Sequence, residues 1–96
     1  MYHKPVLYNE VIENMIKPEY NIYVDCTLGG GGHSEGILKN SKAKLIAIDQ
    51  DDEAIKFSTK RLEKYSDRVK IFKNNFSNLK YVLYMAGYDK VDAILM

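Results

Sequence analysis

The chain has 96 residues, which is enough for one domain and leaves no room for a second. Its 46% hydrophobic and 28% charged residues are typical of a globular rather than a disordered protein, and a net charge of +1 gives no overall attraction to nucleic acid or to a membrane. No apolar run approaches the roughly 20 residues of a membrane span, and the N-terminus lacks the apolar core of a signal peptide, so we expect a cytoplasmic protein.

The predicted helices and strands alternate along the chain. A first amphipathic helix ends at Lys17-Pro18. Buried strands are then predicted at residues 22–26, 44–48, 69–72 and 91–96, with helices between them at residues 33–38, 52–65 and 79–86. Crossovers of this length suit helices and are too long for hairpins. The sequence therefore predicts an α/β fold, a parallel sheet with right-handed crossover helices, whose ligands bind beyond the carboxyl ends of the strands where the strand order reverses.

The most informative stretch runs from Tyr23 to Ser34 and places four consecutive glycines, residues 29–32, between a buried strand and a helix start. Glycines are expected where the backbone must turn sharply or lie directly against another group. The backbone N–H groups of such a turn, together with a helix N-terminus, suit the polar or negative end of a ligand. A flexible surface loop is the alternative, but the apolar flanks do not favour it. Cys26, the single cysteine, is expected to act as a small apolar residue.

An acid closes the second predicted strand. Asp49 follows Gly31 by 18 residues. A glycine turn after one strand and an acid after the next recur in sheets that bind an adenosine-containing cofactor, where the carboxylate accepts hydrogen bonds from both ribose hydroxyls. Asp51 or Asp52 is the expected cap of the following helix, and capping is the alternative role for Asp49 itself.

Two common nucleotide-binding motifs are excluded by the sequence. The dinucleotide pattern requires a glycine where Ser34 or Glu35 stands, and the phosphate loop requires a lysine where Ile37 stands. The remaining adenosine cofactor common on this fold is S-adenosylmethionine. It has no phosphates, so it needs close backbone approach at its amino-acid end and an acid at its ribose.

These motifs resemble one protein family in order and spacing. The stretches concerned are His3 to Leu7, Glu10 to Ile12, Asp25 to Ser34, Ile48 to Asp51 with Ala54-Ile55, and Phe76-Ser77. They are similar to the bacterial small-subunit ribosomal RNA methyltransferase H family, also called MraW. The resemblance implies the N-terminal, cofactor-binding half of a Rossmann-like S-adenosylmethionine-dependent methyltransferase fold. It implies an enzyme that methylates the N4 amino group of a cytosine in 16S ribosomal RNA of the small ribosomal subunit.

The resemblance also implies the site residues. Gly31, Gly32 and His33 would line the methionine end of the cofactor, Asp49 would hold the ribose and Phe76 would pack on the adenine. Helix capping is the alternative for His33, and an ordinary core position is the alternative for Phe76.

Other residues receive structural or surface roles. Asp25 is expected to organise the glycine turn by accepting backbone N–H groups. The basic residues at positions 39, 42, 44, 56, 60, 61 and 64 are expected to form solvated faces rather than RNA contacts.

No catalytic residue and no metal ligand is expected within the chain. In the family, the fourth strand continues into Asp-Leu-Gly-Val-Ser-Ser, whose aspartate lies near the transferable methyl group and would stand just after Met96. We therefore expect the chain to be part of a longer protein and to be inactive alone. The alternatives are a methyltransferase-like domain with another substrate and a non-catalytic nucleotide-binding domain.

Overall fold

The computed structural model describes residues 16–88 and 90–95, with the backbone alone at Phe76. The strands are β1 (Ile22–Asp25), β2 (Lys44–Asp49), β3 (Val69–Lys73) and β4 (Ala93–Leu95). The helices are α1 (Gly32–Asn40), α2 (Asp52–Arg61) and α3 (Leu79–Ala86), with short 3-10 helices at Glu63–Tyr65 and Phe76–Asn78. The helix predicted before Lys17 and the family motifs at His3 and Glu10 lie outside the described residues.

The four strands form one parallel sheet in the order β3-β2-β1-β4, which confirms the predicted α/β class. The chain runs outward from β1 to β2 and β3 and then returns to the other side of β1 as β4. The strand order therefore reverses beside β1. In the register of β1 and β2, Asp25 pairs with Ala47, so Asp49 lies two residues further toward the carboxyl edge. The end of β1 and the end of β2 thus meet where such sheets bind ligands.

Both faces of the sheet are covered. Alternate residues of β1 and β2 point to opposite faces, as the pleat of a strand requires. On the face of α1 and α2 the buried residues are Tyr23, Leu28, Ile37, Leu38, Ala43, Leu45, Ala47 and Leu62. On the face of α3 they are Val24, Ile46, Ile48, Val82 and Ala86. Because the strands are buried on both faces, they appear in the sequence as near-continuous apolar runs, which made them predictable.

Two helix ends follow the predicted chemistry. Asp51 caps α2, and its side chain accepts a hydrogen bond of 3.0 Å from the backbone N–H of Glu53. Gly87 follows α3 with a φ of 93°, and its N–H donates to the carbonyl oxygens of the last turn. A left-handed glycine at this position is a common helix terminator because it carries no Cβ.

Several element ends differ from the predicted bounds by one or two residues, and the end of α2 differs by four. α2 ends at Arg61 rather than continuing to Tyr65, because the chain tightens after Leu62 into a 3-10 turn that keeps Leu62 buried.

β4 begins at Ala93, two residues later than predicted, and Met96 lies outside the described residues. Just before the strand, the Asp92 N–H donates to the Ile22 carbonyl at 2.9 Å, and the Asp92 carboxylate accepts from the backbone N–H groups of Asn21 and Ile22 at 2.6 and 2.9 Å.

Within the described ranges, no helix combines the length and apolarity needed to cross a bilayer.

Candidate functional site

The loop between β1 and α1 turns by means of glycines in the left-handed region. Gly29 has a φ of 47° and Gly31 a φ of 87°. Gly31 is also the N-cap of α1, and its N–H donates to the carbonyl oxygen of Leu28 at 2.6 Å. An L side chain is strained at these φ values, so the turn requires glycine at both positions. We call residues 26–31 the glycine loop.

A buried acid holds the two ends of the glycine loop. Asp25, the last residue of β1, is fully buried. Its Oδ1 accepts from the backbone N–H and the hydroxyl of Thr27, at 2.8 and 2.7 Å, and its Oδ2 accepts from the Ser34 hydroxyl at 2.7 Å. Asp25 therefore ties the start of the loop to the first turn of α1. The acceptance of a backbone N–H was predicted, whereas the bond to Ser34 was not.

The structure brings Asp49 into direct contact with the glycine loop. Asp49 is the half-buried last residue of β2, and its Oδ2 accepts from the backbone N–H of Gly29 at 3.0 Å. Its Oδ1 accepts from the backbone N–H of Asp51 at 2.8 Å. An ionised carboxylate can accept at roughly four lone-pair positions, so about two remain for further donors. The two predicted halves of the site therefore lie at one edge of the sheet.

Residues of α2 contact the opposite, carbonyl side of the glycine loop. The Ser58 hydroxyl donates to the carbonyl oxygen of Gly29 at 2.8 Å, and Arg61 Nη1 donates to that of Gly30 at 3.0 Å. Arg61 Nε and Nη2 also donate to Glu35 Oε1 of α1, at 3.2 and 3.0 Å. Arg61 is exposed, as predicted, but its guanidinium also bonds to the loop, which the sequence did not predict. The helical spacing of Ile55, Ser58, Leu62 and Tyr65 predicts a buried face of this helix, but it gives no signal for either bond.

The remaining predicted residues lie on either side of this contact. Gly32 and His33 form the first turn of α1, directly after the loop. Because the cap position is Gly31, His33 lies inside the helix, and the alternative role of His33 as its cap is wrong. The backbone of Phe76 begins the 3-10 helix that follows β3 at the same edge. The Asn74 N–H donates to the Asp49 carbonyl at 3.0 Å, which joins this turn to β2. The side chain of Phe76 lies outside the described residues.

The charge environment of the site offers a carboxylate and backbone N–H groups. In the part of the chain that the structure describes, no group of three or more His, Cys, Asp or Glu side chains could hold a metal ion. Burial, followed by the neighbouring Asp25 carboxylate, raises the pKa of the Cys26 thiol, so Cys26 is unsuited to act as a thiolate. The arrangement can bind hydroxyl donors at Asp49 and a polar group at the loop.

A separate cavity of about 120 Å³ lies at the opposite edge of the sheet. It is lined where β2 and β3 begin, by residues that include Lys44, Arg68, Lys70 and Tyr88. The glycine loop and Asp49 do not line it. Arg68 there donates to the backbone carbonyls of Leu38, Ser41 and Ala43, so its guanidinium has a structural role.

Comparison with known proteins connects the whole chain to one family. The model of the MraW methylase family matches residues 1–96. The ribosomal RNA small subunit methyltransferase H of Fusobacterium nucleatum is 56% identical over 97 residues, which cover 99% of this chain and 31% of that protein. The chain therefore spans about a third of the length of this relative.

Solved structures share the fold. An rRNA methylase from Streptococcus thermophilus superposes with a TM-score of 0.73 at 20% identity, over 100% of this chain and 55% of that one. TYW2 from Pyrococcus horikoshii, solved in complex with MeSAdo, superposes with a TM-score of 0.67 at 27% identity, over 81% of this chain and 30% of that one. The fold is the Rossmann-like fold of S-adenosylmethionine-dependent methyltransferases, as predicted.

Proposed function

This chain belongs to the MraW methylase family, and we propose that it forms the S-adenosylmethionine-binding part of a methyltransferase that acts on ribosomal RNA. One observation carries the proposal: Asp49 Oδ2 lies 3.0 Å from the backbone nitrogen of Gly29. This bond joins the glycine loop to Asp49, so a ligand that extends from Asp49 to the start of α1 needs hydroxyl donors at one end and a polar group at the other. S-adenosylmethionine has ribose hydroxyls and an amino-acid end, and it needs no phosphate-binding motif.

Each predicted residue has a place in this proposal. The carboxylate of Asp49, with about two lone-pair positions left, would accept from the two ribose hydroxyls. Gly31, Gly32 and His33, which lie where the loop enters α1, would line the methionine end. Phe76, at the turn after β3, would pack on the adenine.

The chain would contribute to catalysis by positioning. When bound, S-adenosylmethionine supplies an electrophilic methyl group on its sulfonium. The acid and the glycine loop would fix the two ends of the cofactor, so that the methyl carbon faces an incoming nucleophile in line. A base in folded RNA must leave its stack to reach such a site. In this proposal the chain positions the cofactor and contributes no catalytic residue.

A finer form of the proposal names the target. We propose that the methyl group goes to the N4 amino group of a cytosine in 16S ribosomal RNA of the small subunit, in the cytoplasm. The support is the sequence resemblance and the name of the Fusobacterium nucleatum relative. Because this chain spans about a third of that relative, we place the groups that hold RNA in the rest of the protein.

Calorimetry tests the cofactor. The full-length protein is titrated with S-adenosylhomocysteine and, separately, with NAD. We expect S-adenosylhomocysteine to bind and NAD to give no heat above dilution. Binding of NAD alone would overturn the methyltransferase proposal in favour of a dinucleotide-binding domain.

A second assay tests the target. The full-length protein is incubated with labelled S-adenosylmethionine and unmodified small ribosomal subunits, and the RNA is digested to nucleosides. Mass spectrometry should find the label in N4-methylcytidine. Label in another nucleoside would reject the finer proposal and leave the cofactor assignment intact.

A further inference from the structure

We infer that Ser58 and Arg61 of α2 are positioning residues of the cofactor site, which hold the carbonyl groups of the glycine loop and thereby fix the backbone that the ligand contacts. The inference rests on the proposed function, because it concerns how the loop meets S-adenosylmethionine. It starts from a feature that the motifs do not contain: the contacts between α2 and the loop backbone.

The first contact fixes Gly29 from two directions. The N–H of Gly29 donates to Asp49 on β2 at 3.0 Å, and its carbonyl oxygen accepts from the Ser58 hydroxyl on α2 at 2.8 Å. Ser58 is fully buried, so water does not compete for its hydroxyl. The two peptide groups that flank Gly29 are therefore held between a strand end and a helix.

The second contact is a forked one. Arg61 lies one helical turn after Ser58, so both side chains project from the same face of α2. Its Nη1 donates to the Gly30 carbonyl at 3.0 Å, while Nε and Nη2 donate to Glu35 Oε1. A planar guanidinium can bind two acceptors in one fixed orientation, which an ammonium cannot do. Arg61 thereby fixes the loop relative to α1 and α2 together.

The third observation is the close approach of α2 to Gly31. A Cβ built at Gly31 would lie 3.3 Å from Ser58 Oγ and 3.5 Å from Arg61 Cδ. Gly31 thus lies close against these two side chains. Consecutive glycines have the widest choice of backbone conformations, so an unrestrained loop would lose that freedom when the ligand binds. Restraint by α2 removes part of this cost before binding.

The test compares two ligands that share adenosine. S-adenosylhomocysteine carries an amino-acid end, which the loop would contact, and methylthioadenosine lacks it. In the full-length protein, Arg61→Met removes the guanidinium that binds Gly30 and Glu35 but keeps an unbranched side chain against Gly31. We expect the dissociation constant of S-adenosylhomocysteine to rise about tenfold, the size expected for a lost charged hydrogen bond, while that of methylthioadenosine stays within about twofold. Lys60→Met, at the exposed neighbouring position, should change neither constant.

Two results overturn the inference, and a third overturns the proposed function on which it rests. Equal weakening of both ligands by Arg61→Met would show a general loss of structure instead of positioning. Unchanged binding of both ligands would show that the Arg61 hydrogen bonds do not affect ligand affinity, while the proposed function stands. If the wild-type protein binds neither ligand, the proposed function itself fails.

Two further variants keep the test decisive if Arg61→Met folds poorly. Ser58→Ala removes one loop bond with almost no change of volume and should weaken S-adenosylhomocysteine selectively. Arg61→Lys keeps the charge but cannot bind Gly30 and Glu35 together. Compared with Arg61→Met, it should recover stability but not the affinity for S-adenosylhomocysteine. Full recovery of affinity in Arg61→Lys would overturn the inference, since charge alone would then suffice.

Discussion

Asp49 and the loop glycines show how much of the site depends on individual backbone bonds. The sequence predicted Asp49 because an acid that closes a strand after a glycine turn has few other roles. It could not predict the bond from Gly29 to Asp49, because that contact depends on the path of the loop. Ser58 and Arg61 were missed for the same reason: they bind carbonyl oxygens, which every residue carries and no pattern distinguishes.

Replacing Asp49 by Asn tests the ribose contact. Asn keeps the shape but exchanges one acceptor oxygen for an NH₂ donor. We expect S-adenosylhomocysteine affinity to fall by about 1–3 kcal/mol, measured by calorimetry, the range for a charged hydrogen-bonding partner. Asp51→Asn is the matched control: it removes a carboxylate two positions away, and Asn caps helices as well as Asp does. Equal losses in the two variants would reject Asp49 as the ribose partner.

Substitutions of two glycines distinguish the cost of backbone strain from an effect on ligand binding. Gly31 and Gly87 both have positive φ, at 87° and 93°, so Ala at either position should cost about 1–2 kcal/mol of unfolding free energy. A Cβ at Gly87 meets nothing within 4 Å, whereas one at Gly31 meets Ser58 and Arg61. We therefore expect Gly31→Ala to weaken S-adenosylhomocysteine binding and Gly87→Ala to leave it unchanged. Chemical denaturation measures the stability of both variants. Unchanged affinity in Gly31→Ala would contradict the role given to the loop.

At the scale of helices and strands, the positions of the elements were predictable and several of their ends were not. α3 lies at Leu79–Ala86, as its apolar spacing predicted, and Gly87 ends it. α2 was predicted four residues too long, because Leu62 and Tyr65 continue the apolar spacing while the backbone has already tightened to a 3-10 turn. β4 begins two residues later than predicted, at Ala93, directly after Asp92, whose carboxylate accepts from the N–H groups of Asn21 and Ile22.

The start of α2 carries a stability prediction. The Asp51 side chain accepts the N–H of Glu53 at 3.0 Å, a bond that Ala cannot make. Asp51→Ala should lower the free energy of unfolding by about 0.5–2 kcal/mol. Chemical denaturation measures the change, and Asp51→Asn should retain nearly full stability. Equal free energies of unfolding for the Ala and Asn variants would show that the cap does not contribute to stability.

At the scale of the whole molecule, the strand order determines where the site lies. Parallel strands and crossover helices followed from the alternation of elements, but the placement of β4 beside β1 did not, because apolar runs carry no record of which strands pair. That placement puts the reversal of strand order at β1, directly beneath the glycine loop. The pairing of β2 with β1 then brings Asp49 to the same edge, 20 residues along the chain from its partner Gly29.

A structure of the full-length protein with S-adenosylhomocysteine tests the central claim most directly. We predict both ribose hydroxyl oxygens at about 2.5–3.0 Å from the Asp49 carboxylate, the usual range for such hydrogen bonds, with the homocysteine end against Gly31 and Gly32. A ligand seated elsewhere, such as in the cavity lined by Arg68 at the opposite edge, would contradict the account.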